Sequence, residues 1–190
     1  MKMKRFLLAV FLLCSLGATS QVKMRDLLRS MPDSIIPYLS TTNRLDCIDF
    51  KEAGMKAEVH NALDGKSELL SLSEHQADFQ LNEAHRMQLQ LLETGIPGDS
   101  CSQVLCVVDT YGKDIQESSI RFFSLGWHQL PTSDYMAVPQ HIFTAVISSG
   151  KEHIELSLTP SDYTERPALE EQKPIEILPT KLKWINNSFK

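Results

Sequence analysis

Two neighbouring stretches alternate strictly between apolar and polar side chains, and this pattern constrains the fold more than any other feature of the chain. In residues 76–81 the odd-numbered side chains are apolar and the even-numbered ones polar, and residues 85–91 repeat the pattern from Arg86 onward. A period of two is typical of β-strands, because successive side chains point to opposite faces. The short link between the stretches suits a hairpin. We therefore predict antiparallel strands with one face on a core and the other face in water.

Neighbouring segments extend this hairpin into a larger sheet. Asp64-Gly65 is a tight-turn signal between two candidate strands, residues 57–62 and residues 67–73. Residues 104–108 are apolar on both faces, which predicts a central strand that is covered on both sides. Residues 119–124 are expected to return antiparallel to that strand.

The C-terminal third of the chain is harder to interpret. Residues 141–148 fit either a short helix with Pro139 at its start or a β-branched strand, and we favour the helix. Residues 153–158 alternate again and predict a strand. Residues 161–173 are polar and predict an exposed loop, and residues 174–184 predict a last strand or two.

The N-terminal part of the chain has a helical pattern. Residues 22–40 place apolar side chains at helical spacing, but Pro32 disfavours helix at the residue before it. The pattern therefore predicts two short helices, of which the second begins at Asp33 or Ser34.

A third helix is expected to begin after a cap at Thr42 or Asn43 and to end at Gly54.

Paired carboxylates can perform acid–base chemistry when one of them is buried. On a short helix whose other side is apolar, carboxylates are more typical of the solvated face. Three acidic residues recur at every third position of this helix: Asp46, Asp49 and Glu52.

These elements together predict an α+β fold, in which an antiparallel β-meander sheet packs against short N-terminal helices. The helices are the natural cover for the second face of the strand at residues 104–108. Residues 21–190 have the length of a single globular domain, and nothing in them marks a domain boundary.

The first twenty residues have the layout of a secretory signal peptide. A basic start at residues 1–5 precedes an apolar run at residues 6–16, and Ala18 and Ser20 place small residues before a cut at Gln21. The apolar run is too short to span a bilayer, which takes about 20 residues. We therefore expect a chain that is exported to the periplasm or the cell surface, without a transmembrane segment after cleavage.

Charge and cysteine content narrow the expected partners. Residues 21–190 carry a net charge of −8 and no dense basic patch, which argues against nucleic acid as a partner. Three cysteines remain after cleavage, Cys47, Cys101 and Cys106, which is no disulfide framework. We expect small buried thiols, although Cys47 could still pair with one of the other two.

No motif assigns a catalytic residue, a cofactor or a metal. Asp64-Gly65-Lys66-Ser67 ends like a phosphate-binding loop, but His60 stands where that loop requires its first glycine. The six histidines include no HExxH pair, and no Gly-x-Ser-x-Gly sequence occurs. A Ser/His/Asp set or a Cys/His pair assembled by the fold stays open, because such sets are not defined by spacing.

Two groups of residues are the candidates for binding. Trp127 and His128 follow a strand, where an aromatic side chain beside a polar ring can contact a carbohydrate or a partner, although a loop tryptophan more often packs over a core edge. The second group is the polar face of the predicted hairpin, which can meet a peptide, a glycan or a partner protein. Its members are Gln76, Asp78, Gln80, Arg86, Gln88 and Gln90.

Three stretches together carry a resemblance to a known family: Met31–Asp46 with its Met-Pro-Asp-Ser start, Leu63–Leu69, and the closing Lys183-Trp184-Ile185-Asn186. The sequence resembles domain-of-unknown-function family 3256, a family of exported proteins from Bacteroides-type bacteria. The resemblance covers essentially the whole of residues 21–190. It implies export from a Gram-negative cell and brings no activity, cofactor or catalytic residue.

The leading functional interpretation is an exported, non-catalytic envelope protein that binds an envelope protein, a peptide or a glycan. One alternative is a periplasmic hydrolase with a dispersed active site, which would need a deep pocket lined by a buried carboxylate or histidine. The other is a carrier of an apolar ligand, which would need an open apolar cavity of some hundreds of Å³.

Overall fold

The predicted hairpin lies at the centre of a larger antiparallel sheet. In the computed structural model, residues 21–95, 103–149, 153–161 and 179–190 are described. The two alternating stretches pair antiparallel, with Ala77 opposite Leu89 and Phe79 opposite Met87. The first sheet has seven strands in sequential order, so it is a meander. These strands are β1 (Glu58–His60), β2 (Lys66–Leu72), β3 (Gln76–Asn82), β4 (His85–Glu93), β5 (Gln103–Tyr111), β6 (Glu117–Phe123) and β7 (Gln129–Leu130).

Two helices cover one face of this sheet, which confirms the predicted α+β class. Helix α1 is Met24–Ser30 and helix α2 is Thr41–Glu52. Their buried side chains pack with Leu105 and Val107 of β5 and with the apolar residues of β3 and β4. The cap of α2 is Ser40, whose hydroxyl accepts from Asn43 N, so the helix begins slightly earlier than predicted.

The second short helix predicted from Asp33 or Ser34 is wrong, because the chain between α1 and α2 forms turns. The buried guanidinium of Arg44 donates to the carbonyl oxygens of Met31 at 2.5 Å and Leu39 at 2.9 Å. It also donates to the Asp33 carboxylate at 2.9 Å. Arg44 therefore bonds both ends of the connection, and these side-chain contacts replace the expected helical turn.

A second sheet covers the opposite face of the meander, where water was predicted. It contains β8 (Phe143–Ser149), β9 (Ile154–Pro160), β10 (Thr180–Ile185) and β11 (Ser188–Phe189) in the order β11-β10-β9-β8. Cys106 and Val108 pack there against Ile147 and Leu156. The strand that was predicted to be covered on both faces is therefore covered by helices on one side and by this sheet on the other.

The helix predicted over residues 141–148 is also wrong, because this segment forms strand β8. Its side chains alternate between buried and less buried positions, and β8 pairs with β9 over seven residues, from Phe143 opposite Pro160 to Ser149 opposite Ile154. The β-branched and aromatic residues of the segment fit this pleated, half-buried position. Pairing with β9 therefore decides a pattern that is ambiguous by itself.

Side chains of the first sheet bond the outer edge of β8. Ala145 N donates to Ser118 Oγ at 2.9 Å, and Ile147 N donates to Gln88 Oε1 at 3.2 Å. Ser149 Oγ donates to Gln90 Oε1 at 2.9 Å. Gln88 and Gln90 are therefore buried on the face that was predicted to be wet, because the Gln88 amide oxygen takes the place of a neighbouring strand and the Gln90 amide oxygen accepts from the Ser149 side chain.

The tight turns require specific backbone conformations. The turn between β5 and β6 contains Gly112 at φ +105°, and a Cβ there would lie 1.9 Å from Ile115 O. Only glycine fits that position. Gly54 ends α2 at φ +70°, as predicted for a helix C-terminus.

Two cysteines of the described residues, Cys47 and Cys106, are buried free thiols. Burial raises the pKa of the Cys47 thiol to about 11, and it raises the pKa of Cys106 as well. Cys101 and, apart from Ser161, the predicted loop at residues 161–173 lie outside the described residues. Within the described ranges, no helix has the length and apolar character needed to cross a bilayer.

The bond from Ile147 N to Gln88 generates a test of this edge. We expect Gln88→Leu to lower the free energy of unfolding by about 1–3 kcal/mol, because it leaves a buried N–H without its acceptor. Urea denaturation measures the change. The exposed Gln129 serves as the control, since Gln129→Leu should change stability by no more than about 0.5 kcal/mol. Equal losses for the two variants would contradict the role given to Gln88.

Candidate functional site

Three hairpin connections lie at the same end of the meander, because alternate turns of an antiparallel sheet share one edge. They join β1 to β2, β3 to β4, and β5 to β6. At this end β4 begins at His85 and β5 ends at Tyr111. His85 and Arg86 begin β4 and point to opposite faces, so each face carries its own polar cluster.

The face toward the second sheet has a polar cleft of about 220 Å³. It lies between the first residues of β4 and the middle of β8, and the β5–β6 turn closes one side. The residues that line it are Gln80, Glu83, Ala84, His85, Arg86, Gln88, Thr110, Gly112, Gln116, Thr144, Ala145 and Val146.

An ion pair organises the floor of this cleft. Arg86 Nε and Nη2 donate to the two carboxylate oxygens of Asp78 at 3.0 and 2.5 Å, in the bidentate geometry that favours arginine. This bonding raises the pKa of Arg86. Gln88 Nε2 also approaches Asp78 at 3.5 Å. The Arg86 side chain is still 43% exposed, so its outer face remains open to a ligand.

A second ion pair lies at the rim, where Lys113 donates to Glu83. The charged side chains at the cleft thus occur as one cation and one anion in each pair. The remaining lining is rich in amide and hydroxyl groups. The site consequently presents hydrogen-bond donors and acceptors without a net charge.

The structure brings three of the predicted candidates together in this cleft: Gln80, Arg86 and Gln88. Asp78 lies behind Arg86 as its partner, and Gln90 bonds Ser149 further along β4. Gln76 is half-buried and is paired with Gln90 in the sheet register.

Trp127 and His128 lie away from the cleft, beyond the opposite end of β6. The Trp127 ring is buried near Phe123, with ring centroids 5.8 Å apart, and Trp127 Nε1 donates to Leu27 O at 3.2 Å. His128 is exposed. The tryptophan therefore packs over the core edge beside α1.

The other face of the same end carries a chain of polar side chains that the sequence patterns did not indicate. Tyr38, from the connection between the helices, lies 2.5 Å from His85 Nδ1. His85 Nε2 lies 2.9 Å from Asp109 Oδ1, and Asp109 Oδ2 accepts from Arg121 at 2.6 Å. The one available signal was a histidine at the start of β4 on the apolar face, opposite a strand that ends in aspartate and tyrosine.

The partners of His85 select one tautomer of the neutral imidazole. A carboxylate only accepts, so Nε2 donates to Asp109, and in the neutral ring Nδ1 then accepts from the Tyr38 hydroxyl. The imidazole also stacks on Tyr111 at 4.3 Å between ring centroids. Asp109 is fully buried, and its two oxygens are held by His85 and Arg121. All of these groups are therefore satisfied within the protein.

Tyr38, His85 and Asp109 have the order of a hydroxyl–histidine–carboxylate set, in which a tyrosine supplies the hydroxyl. Burial, followed by the charges of Tyr111 and Asp109, raises the pKa of Tyr38 to about 12, so its hydroxyl remains protonated at neutral pH. In such a set the histidine base accepts from the nucleophile that meets the substrate. Tyr38 does not line the cleft, so a ligand in the cleft would not meet this hydroxyl. The described residues also contain no cluster of three metal-ligating side chains.

A second cleft, of about 240 Å³, lies between the helices and the β2–β3 turn, at the opposite end of the sheet. Most of its lining side chains are charged, and two ion pairs border it, Lys23 with Glu74 and Arg25 with Glu52. This composition differs from the apolar cavity that a lipid-type carrier would need.

The acidic residues predicted on the solvated face of α2 are exposed. Asp49 lies 3.5 Å from Arg29, and Glu52 lies 3.2 Å from Arg25. Exposed pairs of this kind contribute little stability, and none of these carboxylates is buried as acid–base work would require.

The buried carboxylate of Asp109 should be the most sensitive member of the polar chain. We expect Asp109→Asn to lower the free energy of unfolding by about 3 kcal/mol, because it removes a buried charge opposite Arg121. Tyr38→Phe removes only one hydrogen bond and should cost about 1 kcal/mol. Urea denaturation of the two variants measures both values, and an Asn variant as stable as the Phe variant would rule out this ranking.

Tyr38 also gives a pH dependence with a defined sign. Its pKa is raised from 10 to about 12 in the folded protein, so its contribution to stability is complete below pH 10 and is lost as the pH rises toward 12. Unfolding measured at several pH values across this window should show the loss. The Tyr38→Phe variant should lose less stability over the same window, and an identical slope in both proteins would contradict the prediction.

Comparison with known proteins places the chain in a family. No curated protein matches the sequence. A solved structure, described as a domain of an uncharacterized protein from Porphyromonas gingivalis W83, is similar in fold at 20% sequence identity and a TM-score of 0.65. That similarity covers 88% of this chain and 98% of the other. Residues 15–186 match the family described as "Protein of unknown function (DUF3256)", and the chain therefore belongs to that family.

Proposed function

We propose that this protein is an exported, non-catalytic binding module of the cell envelope, and that the cleft between the two sheets receives a polar ligand without net charge. The observation that carries the proposal is the convergence of Gln80, Arg86 and Gln88 with Thr144 around one concave space. Binding sites commonly combine a concave shape with a few fixed polar groups that orient the ligand.

The chemistry of the lining defines the ligand. Arg86 is neutralised by Asp78 and Glu83 by Lys113, so an ionic ligand would find no unpaired opposite charge in this cleft. Amide and hydroxyl groups supply both donors and acceptors. Peptide amides and sugar hydroxyls both match such a lining, whereas phosphates and carboxylates do not.

Rigidity supports a binding role for the lining. Arg86 is held by two bonds to Asp78, and Gln80 Nε2 donates to Asn82 O at 2.7 Å. Both side chains stand on strands of the central sheet rather than on long loops. Groups that are ordered before binding lose less conformational entropy when the ligand arrives.

Export is supported by the sequence of residues 1–20, with its basic start, apolar run and small residues before Gln21. The acidic net charge of the remaining chain fits a role that involves neither nucleic acid nor anionic lipid. We place the protein in the periplasm or at the cell surface. Cell fractionation with mass spectrometry of the N-terminus tests this part, and an uncut chain in the cytosol would overturn it.

A binding role fits the polar chain better than hydrolysis does. The histidine beside the cleft has both ring nitrogens bonded, one to Asp109 and one to Tyr38. In a hydrolase the histidine would accept from a hydroxyl or a water that meets the substrate, whereas Tyr38 does not line the cleft. The hydrogen bonds of His85 instead fix the start of β4, from which Arg86 projects into the cleft.

The cleft itself is tested with a filling variant. We expect NMR titration of the protein with neutral oligosaccharides and uncharged peptides to shift the amide signals of cleft residues for at least one of these probes. Thr144→Tyr should weaken that binding at least about tenfold, because the ring occupies the space.

Thr159 provides the matched control, since it is exposed and lies directly opposite Thr144 in the sheet register but outside the cleft lining. Thr159→Tyr should leave the affinity unchanged within about twofold. Binding that survives Thr144→Tyr, or shifts that lie outside the cleft for every probe, would refute the proposed site.

A further inference from the structure

We infer that the ligand is an extended, uncharged peptide segment of a partner protein, which adds as a strand to the outer edge of β8. This inference rests on the proposed binding function and names its ligand class. The observation behind it is that the N–H groups of Ala145 and Ile147 point away from β9 and are bonded only by side-chain oxygens.

Strand β8 ends the order of the second sheet, and in the described residues no strand pairs with its outer side. Its seven residues, Phe-Thr-Ala-Val-Ile-Ser-Ser, contain no charge and no proline. Natural edge strands are normally protected by being short or by carrying lysine, proline or a bulge. The terminal strands β1, β7 and β11 have only three, two and two residues. Strand β8 is the long terminal strand without such protection.

A peptide can displace the side chains that bond this edge at a low cost in free energy. Ser118 Oγ also bonds Thr110 Oγ1 at 2.7 Å, and Gln88 Nε2 also approaches Asp78. Ser118 Oγ therefore keeps a second partner when a peptide carbonyl takes its place on β8, whereas Gln88 Oε1 borders the cleft and would be left to accept from the peptide itself. The exchange replaces one hydrogen bond with another and leaves no buried donor unpaired.

The cleft lies directly beside this edge. Thr144, Ala145 and Val146 border it on β8, a length of about 7–10 Å at the rise of a strand. A peptide strand in that position would place its main chain against Ala145 and Ile147 and its alternate side chains toward Gln80 and Arg86. Val146 is 46% exposed and offers a β-branched neighbour for a cross-strand pair.

Charge complementarity selects the composition of the segment. The ions of the cleft are paired as Arg86 with Asp78 and Lys113 with Glu83, and β8 itself is uncharged. A charged residue of the peptide would be partly desolvated there without a counter-ion, which is unfavourable. Uncharged residues with a preference for strands fit both the edge and the cleft.

The test uses a phage-displayed library of random short peptides, selected on the protein purified from cells that express the full-length chain. Selected peptides are resynthesised, and their affinity is measured by fluorescence anisotropy. Methylation of the peptide amide nitrogens should weaken binding about tenfold or more at every second position, and by no more than about twofold at the positions between. This period of two arises from strand pairing, because alternate residues direct their main-chain groups to the same neighbour.

A charge placed on the edge gives the second measurement. Val146→Lys should weaken the binding of the selected peptides about tenfold or more. Thr159→Lys on the neighbouring strand should change their affinity by no more than about twofold. Both substitutions are at exposed positions of one sheet, and urea denaturation confirms that both variants fold.

The outcomes separate the two proposals. Peptides whose binding shifts cleft signals but is insensitive to N-methylation and to Val146→Lys would overturn strand addition and leave the cleft as a binding site. If neutral oligosaccharides are the only ligands that bind, strand addition is likewise overturned and the cleft remains a binding site. A dimer in solution that Val146→Lys dissociates would assign the edge to a second copy of this chain and overturn the peptide. If neither the NMR probes nor the displayed peptide library yields a ligand, the proposed function is overturned as well.

Discussion

The arrangement of the two sheets depends on how the outer N–H groups of β8 are satisfied. A strand placed across another sheet buries part of its main chain, and every buried N–H needs an acceptor. Gln88 and Ser118 supply those acceptors from the meander, while Gln90 accepts from the Ser149 hydroxyl. Apolar contacts bring the sheets together, since Cys106 and Val108 pack on Ile147 and Leu156. The hydrogen bonds then fix where along the meander β8 can lie, because apolar packing alone is not directional.

The same residues explain why one end of the molecule is open. Where β8 passes over Gln88 and Gln90, these side chains bond the main chain at Ile147 and the hydroxyl of Ser149. Toward the start of β4 the cover ends, and Arg86 and Gln80 border a space instead of a strand. On the opposite face, His85, Asp109 and Tyr38 satisfy one another at this end, so the strand ends are fixed without being buried under a helix. A rigid, polar, concave edge results from these two forms of bonding.

Much of the fold could be predicted from period and composition, whereas the cover of its second face could not. The alternation at residues 76–91 predicted the central hairpin, and the two-sided apolar pattern at residues 104–108 predicted its covered neighbour. A glutamine that accepts from a strand edge has the same sequence pattern as one that faces water, so Gln88 was placed in solvent. The Phe143–Ser149 stretch is too short for its period to distinguish helix from strand, and its pairing with β9 is a long-range contact. Tyr38, His85 and Asp109 come from three distant segments, and only the folded chain brings them together.

The buried guanidinium of Arg44 has a consequence for how sequences of this family can vary in length. It holds the carbonyl oxygens of Met31 and Leu39, which lie on either side of the turns between the helices. An inserted or deleted residue between them would move one carbonyl out of reach and leave a buried cation short of an acceptor. Insertions and deletions should therefore be excluded from this connection, although a connection between helices would ordinarily tolerate them.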